Sequence, residues 1–338
     1  MNKVTTIGLD LAKNIFHAVC CDARGKVVRK RMLRRGQVLD YFGRMESALI
    51  GMEACASAHY WARELKALGH EVKLIPPQYV KPFVRGNKHD YNDALAIAEA
   101  VVRPEMRFTE VKTVEQQDVQ ALHRLRERCI QARTALCNQI RGLVGEYGLV
   151  LPKGVEGIRR GVPELLEDGE NGLSDFFRRL LAESYRQLQE LDAHIEVYTE
   201  EVVRLSRANE ACRRLETIPG FGPIVAGVFY SRVGDGSAYR CGREVSAAVG
   251  LVPRQHSSGG KERLLGISKR GDRYLRSLLV HGARAVVSRA KGKDDRLSRW
   301  INRIRAERGF NKAVVALANK LARIGWAVLR HKTVYQPA

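Results

Sequence analysis

The sequence predicts an α/β domain followed by all-α segments, and three observations carry that prediction. The first hundred residues alternate short β-branched runs with amphipathic stretches, the pattern of a mixed sheet with crossover helices. Two long stretches then repeat apolar residues at steps of three and four, as helices with one buried stripe do. The last third joins glycine-punctuated turns to strongly basic, mostly helical stretches. These changes divide the 338 residues into 1–112, 113–210 and 211–338.

In the first segment, strands are predicted at 4–9, 15–21, 26–33, 48–52 and 71–75. Asp22-Ala23-Arg24-Gly25 fits the turn of a hairpin between the second and third. Helices are predicted at 36–47, 59–68 and 90–102. Three antiparallel strands followed by helix, strand, helix, strand, helix is the order of a ribonuclease H-like fold. In that order the first and fourth strands are neighbours. Asp10 ends the first and Glu53 follows the fourth, so the two meet at one end of the sheet. Asp90 and Asp93, three apart and on one helical face, join them from the last helix. Converging carboxylates repel one another and favour divalent cations, and an oxygen-only set suits Mg²⁺ or Mn²⁺. Two such ions can stabilise both the attacking and the leaving oxygen of phosphoryl transfer. Singly, each acid also fits a helix cap or solvated turn; it is the joint placement that argues for a metal site. Lys88 and His89, just before the pair, either contact phosphate or face water.

In the second segment, Leu122, Leu125, Cys129, Ala132, Leu136, Ile140 and Leu143 form one apolar seam. Leu188, Leu191, Ile195, Tyr198, Val202 and Leu205 form another. Two such helices make a stalk, either as an antiparallel pair or as an intermolecular coiled coil. Residues 148–172, rich in Gly, Pro and charge, read as the connecting loop.

The third segment opens with Ile218-Pro219-Gly220-Phe221-Gly222-Pro223, which resembles a helix-hairpin-helix turn. Gly220 and Gly222 would let backbone amides approach a phosphate, and a ligand-free turn between helices is the plainer alternative. A serine loop follows, Ser257-Ser258-Gly259-Gly260-Lys261, whose spacing does not match a nucleotide-binding P-loop. A serine hydroxyl is a poor nucleophile without help. Arg254, Lys261 and Arg263 offer positive charge for a scissile phosphate, and His256 offers a proton acceptor. Lys269, Arg270, Arg273 and Arg276 lead into a basic helix, and a helix over 312–330 packs the domain.

Charge narrows the partner. Lys and Arg outnumber Asp and Glu by 58 to 37, a net charge of +21. Residues 261–308 alone hold 15 basic side chains against 5 acidic. Such a localised excess points to a polyanion, nucleic acid above all. The seven cysteines form no C-x-x-C pair, so reduced thiols are expected. No run approaches a membrane span and no apolar leader opens the sequence; a cytoplasmic protein without membrane contact is expected.

On these motifs the chain resembles the DEDD transposases of bacterial insertion sequences, the insertion sequence 110 family with its Piv and MooV invertase relatives. Gly8-Leu9-Asp10-Leu11-Ala12-Lys13, Met52-Glu53-Ala54 and Lys88-His89-Asp90-Tyr91-Asn92-Asp93-Ala94 look like its RuvC-like tetrad, with His89 where Asn is commoner. Ile218 to Pro223, Gly250 to Lys261 and Gly271 to Arg276 look like its transposase domain. The resemblance implies that Asp10, Glu53, Asp90 and Asp93 hold Mg²⁺ and are catalytic. It implies that Ser258, with Ser257 as runner-up, attacks a DNA phosphate and holds the strand as a phosphoserine ester. It further implies a Holliday-like intermediate, donor and target DNA, a structured guide (bridge) RNA, and a dimer or tetramer whose protomers share a composite site. A Holliday-junction resolvase or nuclease using the tetrad alone is the rival reading, but it leaves the last third unexplained. A sugar-kinase or actin-like ATPase would need a second Gly-rich phosphate loop and an adenosine pocket, neither of which the sequence offers, and an architectural DNA-binding protein would make the tetrad accidental.

Overall fold

A computed structural model describes residues 3–87 and 89–337, so the reading of Lys88 lies outside the described residues. The chain divides into two compact units, 1–114 and 115–338.

The first unit is built on five strands: β1 (Thr6–Asp10), β2 (Ile15–Cys21), β3 (Val27–Arg34), β4 (Leu49–Glu53) and β5 (Glu71–Ile75). Their order is β3-β2-β1-β4-β5. β1–β2 and β2–β3 are antiparallel, whereas β1–β4 and β4–β5 are parallel. α1 (Val38–Gly43), α2 (Ala58–Ala67), α3 (Pro77–Val80) and α4 (Asp90–Val101) complete it. One face of the sheet buries Ile7, Leu9, Phe16 and Met52 with Trp61 and Leu65 of α2. The other receives α4, whose Ala94, Ala96, Ala98 and Ala100 are buried.

Two glycines bring α4 onto the sheet. A Cβ on Gly8 would lie 1.9 Å from the Ala94 carbonyl oxygen, and one on Gly51 would lie 2.8 Å from Val101 Cβ. Side chains alternate along a strand, so Asp10 and Glu53, two residues beyond each glycine, face the same side as α4. The close seat of the helix thus carries its first turn to the strand ends.

The second unit contains α5 (Val114–Gly145), α6 (Val155–Glu167), α7 (Asp175–Ala208), α8 (Glu210–Glu216), α9 (Pro223–Val233), α10 (Gly242–Ala248), β6 (Pro253–Gln255), β7 (Leu264–Ile267), α11 (Arg273–Ser288), α12 (Arg296–Arg308) and α13 (Phe310–His331). α5 and α7 lie antiparallel within one chain. Arg126 Nε donates to Thr199 Oγ1 at 2.8 Å, Arg133 Nη1 meets Asp192 Oδ1 at 2.9 Å, and the Tyr147 and Phe177 rings lie 4.4 Å apart.

Two sequence readings need correction here. The segment 148–172 is not a plain loop: α6 occupies much of it and packs Ile158 and Val162 among Ile140, Val144, Leu181 and Leu188. The seam on α5 holds only in part: Ile140 is buried and Leu122, Cys129 and Leu136 are half-buried, but Leu125, Ala132 and Leu143 are exposed while Gln116, Gln120, His123, Cys137 and Val144 are buried. Counting apolar residues drew the stripe off centre because part of the buried one is polar. The α7 seam buries Leu188, Ile195 and Val202 as its spacing predicts.

The remaining helices surround α13, whose Leu317, Leu321, Ala322 and Leu329 are buried. The turn between α8 and α9 sits against α11, with Gly220 and Gly282 in such contact that a Cβ on either would strike the other's carbonyl. No helix among the described residues is long and apolar enough to cross a membrane.

Candidate active site

At the C-terminal edge of β1, carboxylate oxygens of Asp10, Asp90 and Asp93 all lie within 4.8 Å of one another. Asp10 and Asp93 are half-buried and Asp90 is exposed. Burial, then Asp93 and Asp90, raises the Asp10 carboxyl above its ordinary pKa. Burial, then Asp10 and Asp93, raises that of Glu53. Glu53 therefore shares the field of the cluster, although it is not one of the three whose oxygens meet within 4.8 Å.

This donor set fits a hard divalent cation: it offers oxygen only, it is open to solvent on the Asp90 side, and its mutual repulsion is what a cation relieves. Asp10, Asp90 and Asp93 would hold the ion, with Glu53 beside them.

Sequence reasoning missed His17. The antiparallel register sets it opposite Asp10. Its Nδ1 lies 3.4 Å from Asp90 Oδ2, its ring packs edge-on against Tyr91 at 4.8 Å, and it opposes the rise in the Asp10 pKa. The hairpin register could have revealed it, since a cross-strand partner of a site residue faces the same side. His89 caps α4, accepting the Tyr91 amide at Nδ1 (3.2 Å) and stacking on the Tyr91 ring.

The serine loop forms a β-hairpin between β6 and β7. Gly259 and Gly260, both at positive φ, make the two-residue turn between Ser258 and Lys261 that suits a twisted hairpin. Ser257 Oγ accepts the Arg263 amide at 3.3 Å and the Gln255 side-chain amide at 3.1 Å. Ser258 is exposed at the last position before the turn, and its hydroxyl has no hydrogen-bond partner among the described residues. Arg254, Lys261, Arg263, Lys269, Arg270 and Arg273 are exposed on or near the hairpin.

The base of the hairpin is fixed by backbone contact. A Cβ on Gly250 would lie 2.1 Å from the Arg270 carbonyl, and one on Gly271 would lie 1.7 Å from the Ala248 carbonyl. Arg276 Nη1 donates to the Val249 and Arg270 carbonyls at 2.8 and 3.3 Å, which commits part of that guanidinium to the fold. Gly222 precedes α9 and is exposed, whereas Gly220 is occupied by its contact with Gly282.

Comparison with known proteins adds an independent line. The family described as "Transposase IS116/IS110/IS902 family" matches residues 212–298, and a "Transposase" family of the DEDD IS110 type matches residues 7–148. A "Probable family 20 transposase" of Pseudomonas aeruginosa is 48% identical over 99% of both chains. The "Transposase for insertion sequence element IS1111A" of Coxiella burnetii is 45% identical over 99% of this chain and 92% of its own. The "Transposase for insertion sequence element IS1328" of Yersinia enterocolitica is 41% identical over 99% of both.

Proposed function

The chain belongs to the IS110 family of insertion-sequence transposases, and from that premise we propose that it cleaves and rejoins DNA with a carboxylate-held metal site and a nucleophilic serine. The observation that carries this reading is the convergence of Asp10, Asp90 and Asp93 at the end of β1, with Glu53 in their field. A bound divalent cation, Mg²⁺ or Mn²⁺, would draw negative charge off phosphate oxygens there. The four acids are then the metal-holding set, and His17 orients Asp90 from the neighbouring strand.

Ser258 is the proposed nucleophile. Its Oγ forms a bond to a DNA phosphorus as the bond to the leaving strand oxygen breaks. The serine proton passes to a base, for which His256 is the candidate, and the departing oxygen takes up a proton. The phosphoserine ester retains the phosphodiester linkage until a new strand end displaces the serine. Arg254, Lys261 and Arg263 stabilise charge on the phosphate. Ser257 is the weaker candidate because its hydroxyl already accepts two hydrogen bonds inside the hairpin. Lys269, Arg270, Arg273 and Arg276, with the exposed Gly222 before α9, are the proposed nucleic-acid contacts. A guide RNA, a Holliday-like intermediate, a dimer or tetramer with a composite site, and a cytoplasmic location complete the proposal on the family resemblance.

Trapping a recombination reaction and mapping the nucleotide-bearing peptide by mass spectrometry tests the serine. We expect the adduct on Ser258 and none in Ser258→Ala, with DNA binding retained. Full recombination by the Ser257→Ala/Ser258→Ala double variant would overturn the serine step. Resolution of junctions without any adduct would leave the carboxylate-only nuclease.

A further inference from the structure

A groove of about 1780 Å³ runs between α12, α13, the start of α10 and β7, the second strand of the serine hairpin. Small-molecule sites occupy roughly 300–1,000 Å³, so an extended occupant fits it better. Its floor is apolar. Trp300, Trp326, Ile304, Val315 and Ile267 line it, and Leu264 and Leu265 of β7 face it while 62% and 41% exposed. Trp326 is fixed there by its Nε1, which donates to the Gly236 carbonyl at 3.0 Å. Neither the carboxylate cluster nor the charges assigned around Ser258 use any of these residues.

The rim is basic. Arg243, Arg303, Arg308, Lys312, Lys320 and Arg323 line the groove against one acid, Glu307. Among the described residues none of these cations has an ion-pair partner. Like charges gathered on a concave wall repel one another and focus a positive field into the groove. Lys320 shows the crowding. Its ammonium lies 4.7 Å over the Trp300 ring, and burial, then Arg323 and Arg296, pulls its pKa below the ordinary lysine value. Such a rim calls for a polyanion, and the apolar floor calls for one that also brings flat, uncharged surface. Duplex DNA presents phosphates and base edges but no base faces. A single strand can lay its bases on the floor while its phosphates meet the rim.

We propose that this groove binds an unpaired stretch of the DNA strand on which the protein acts, with bases against Trp300, Leu264 and Leu265 and phosphates against the basic rim. The hairpin gives the reason for its place. β7 is a wall of the groove and also the strand that returns from the turn carrying Ser258. Leu264 stands three residues beyond Lys261, at most about 10 Å along the chain. A strand whose phosphate sits at the serine passes from the turn into the groove, which keeps its end unpaired and within reach until rejoining. The proposal rests on the DNA-cleaving reading above and adds a binding surface that reading does not contain.

The test follows fluorescence anisotropy of the full chain across salt with single-stranded DNA, duplex DNA and single-stranded RNA of equal length. Arg303 and Arg308 are exposed, so Arg303→Gln/Arg308→Gln should fold normally. It should lower the slope of log affinity against log salt for single-stranded DNA by about 1.4, two contacts at about 0.7 each. Leu264→Ser, at a side chain 62% exposed, should weaken single-strand binding about fivefold with the slope unchanged. Duplex affinity should hardly move in either variant. An unchanged slope in the double variant would overturn the groove, and it decides alone if Leu264→Ser proves unstable. A lowered slope with wild-type affinity in Leu264→Ser would overturn the seat for the bases. Equal losses on duplex DNA would overturn the single-strand assignment, and losses confined to RNA the assignment to DNA. Variants that lose an oligomer by light scattering would make the groove a contact between copies instead. Trapping the Ser258 adduct separates the two readings. Normal adducts beside normally binding variants would remove only the groove, whereas a wild-type chain that binds single strands yet forms no adduct would remove the serine step and leave the groove.

Discussion

Replacing Asp10 by asparagine should stabilise the metal-free protein at neutral pH. The carboxylate oxygens of Asp10, Asp90 and Asp93 fall within 4.8 Å of one another. At that separation a like-charge pair costs about 1 kcal/mol in bulk water and about 3.5 kcal/mol at an effective dielectric near 20. Asp90 is exposed, which pulls the cost toward the lower figure, and Asp10 faces two such neighbours. The Asp10→Asn change would therefore relieve roughly 2 kcal/mol, about 6–10 °C in the melting of a unit of this size. The pH dependence has a fixed sign. The folded-state pKa values of Asp10 and Glu53 are raised, so these groups favour folding below their ordinary pKa and lose that contribution as pH rises through the folded value. The advantage of the variant should thus be greatest at neutral pH and shrink on acidification. Added Mg²⁺ should raise the wild-type melting temperature and do little for the variant. Differential scanning fluorimetry in EDTA and in Mg²⁺, across pH, measures all three effects. A variant that melts at or below the wild type in EDTA at pH 7 would refute the idea of mutually repelling carboxylates at this edge.

Gly8→Ala should cost about 3 kcal/mol or more in denaturant unfolding and blunt the response to Mg²⁺, because the new methyl meets the Ala94 carbonyl at 1.9 Å. His17→Phe keeps an aromatic ring against Tyr91 but removes the partner of Asp90; Mg²⁺ affinity by calorimetry should fall about tenfold, with the fold intact by circular dichroism. Leu188→Asp places an unpaired charge in the α5–α6–α7 core and should cost about 3–5 kcal/mol, read as a lower midpoint in urea.

Most of the first unit was legible in the sequence because its strands are short, β-branched and separated by clear turn residues. The strand order then follows from few permitted connections, and with it the meeting of Asp10, Asp90 and Asp93. His17 was missed because its place follows from the β1–β2 register, which has to be drawn out residue by residue, and not from any local pattern. Elsewhere the failures share a cause. On α5 the buried stripe contains Gln116, Gln120 and His123, so hydrophobic periodicity caught Ile140 but drew the rest of the seam off centre. In 148–172 the glycines and Pro163 suggested a loop, yet a proline is tolerated inside α6 while Ile158 and Val162 supply its buried face. The serine segment read only as a loop, but paired positive-φ glycines are also what a tight hairpin turn requires.

The glycines link the two centres by a common device. In the first unit Gly8 and Gly51 admit α4 to the sheet, and an acid stands two residues beyond each. In the second, Gly250 and Gly271 let the strands at the hairpin base press against backbone, and the serine is carried on the turn they anchor. At Gly8, Gly250 and Gly271 the seat is backbone to backbone, which is stiffer than one made through side chains such as Ile97 and Val101 at Gly51, because no rotamer can absorb a displacement. Groups that must meet a phosphate within a fraction of an ångström need such support. The pattern Gly-x-Asp at 8–10 and Gly-x-Glu at 51–53 is therefore more than two acids at two strand ends: the glycine sets the depth of the helix, and the helix sets the distance at which its own Asp90 and Asp93 arrive. On this argument a methyl group at Gly8 or Gly51 reaches the chemistry without touching a single charged atom.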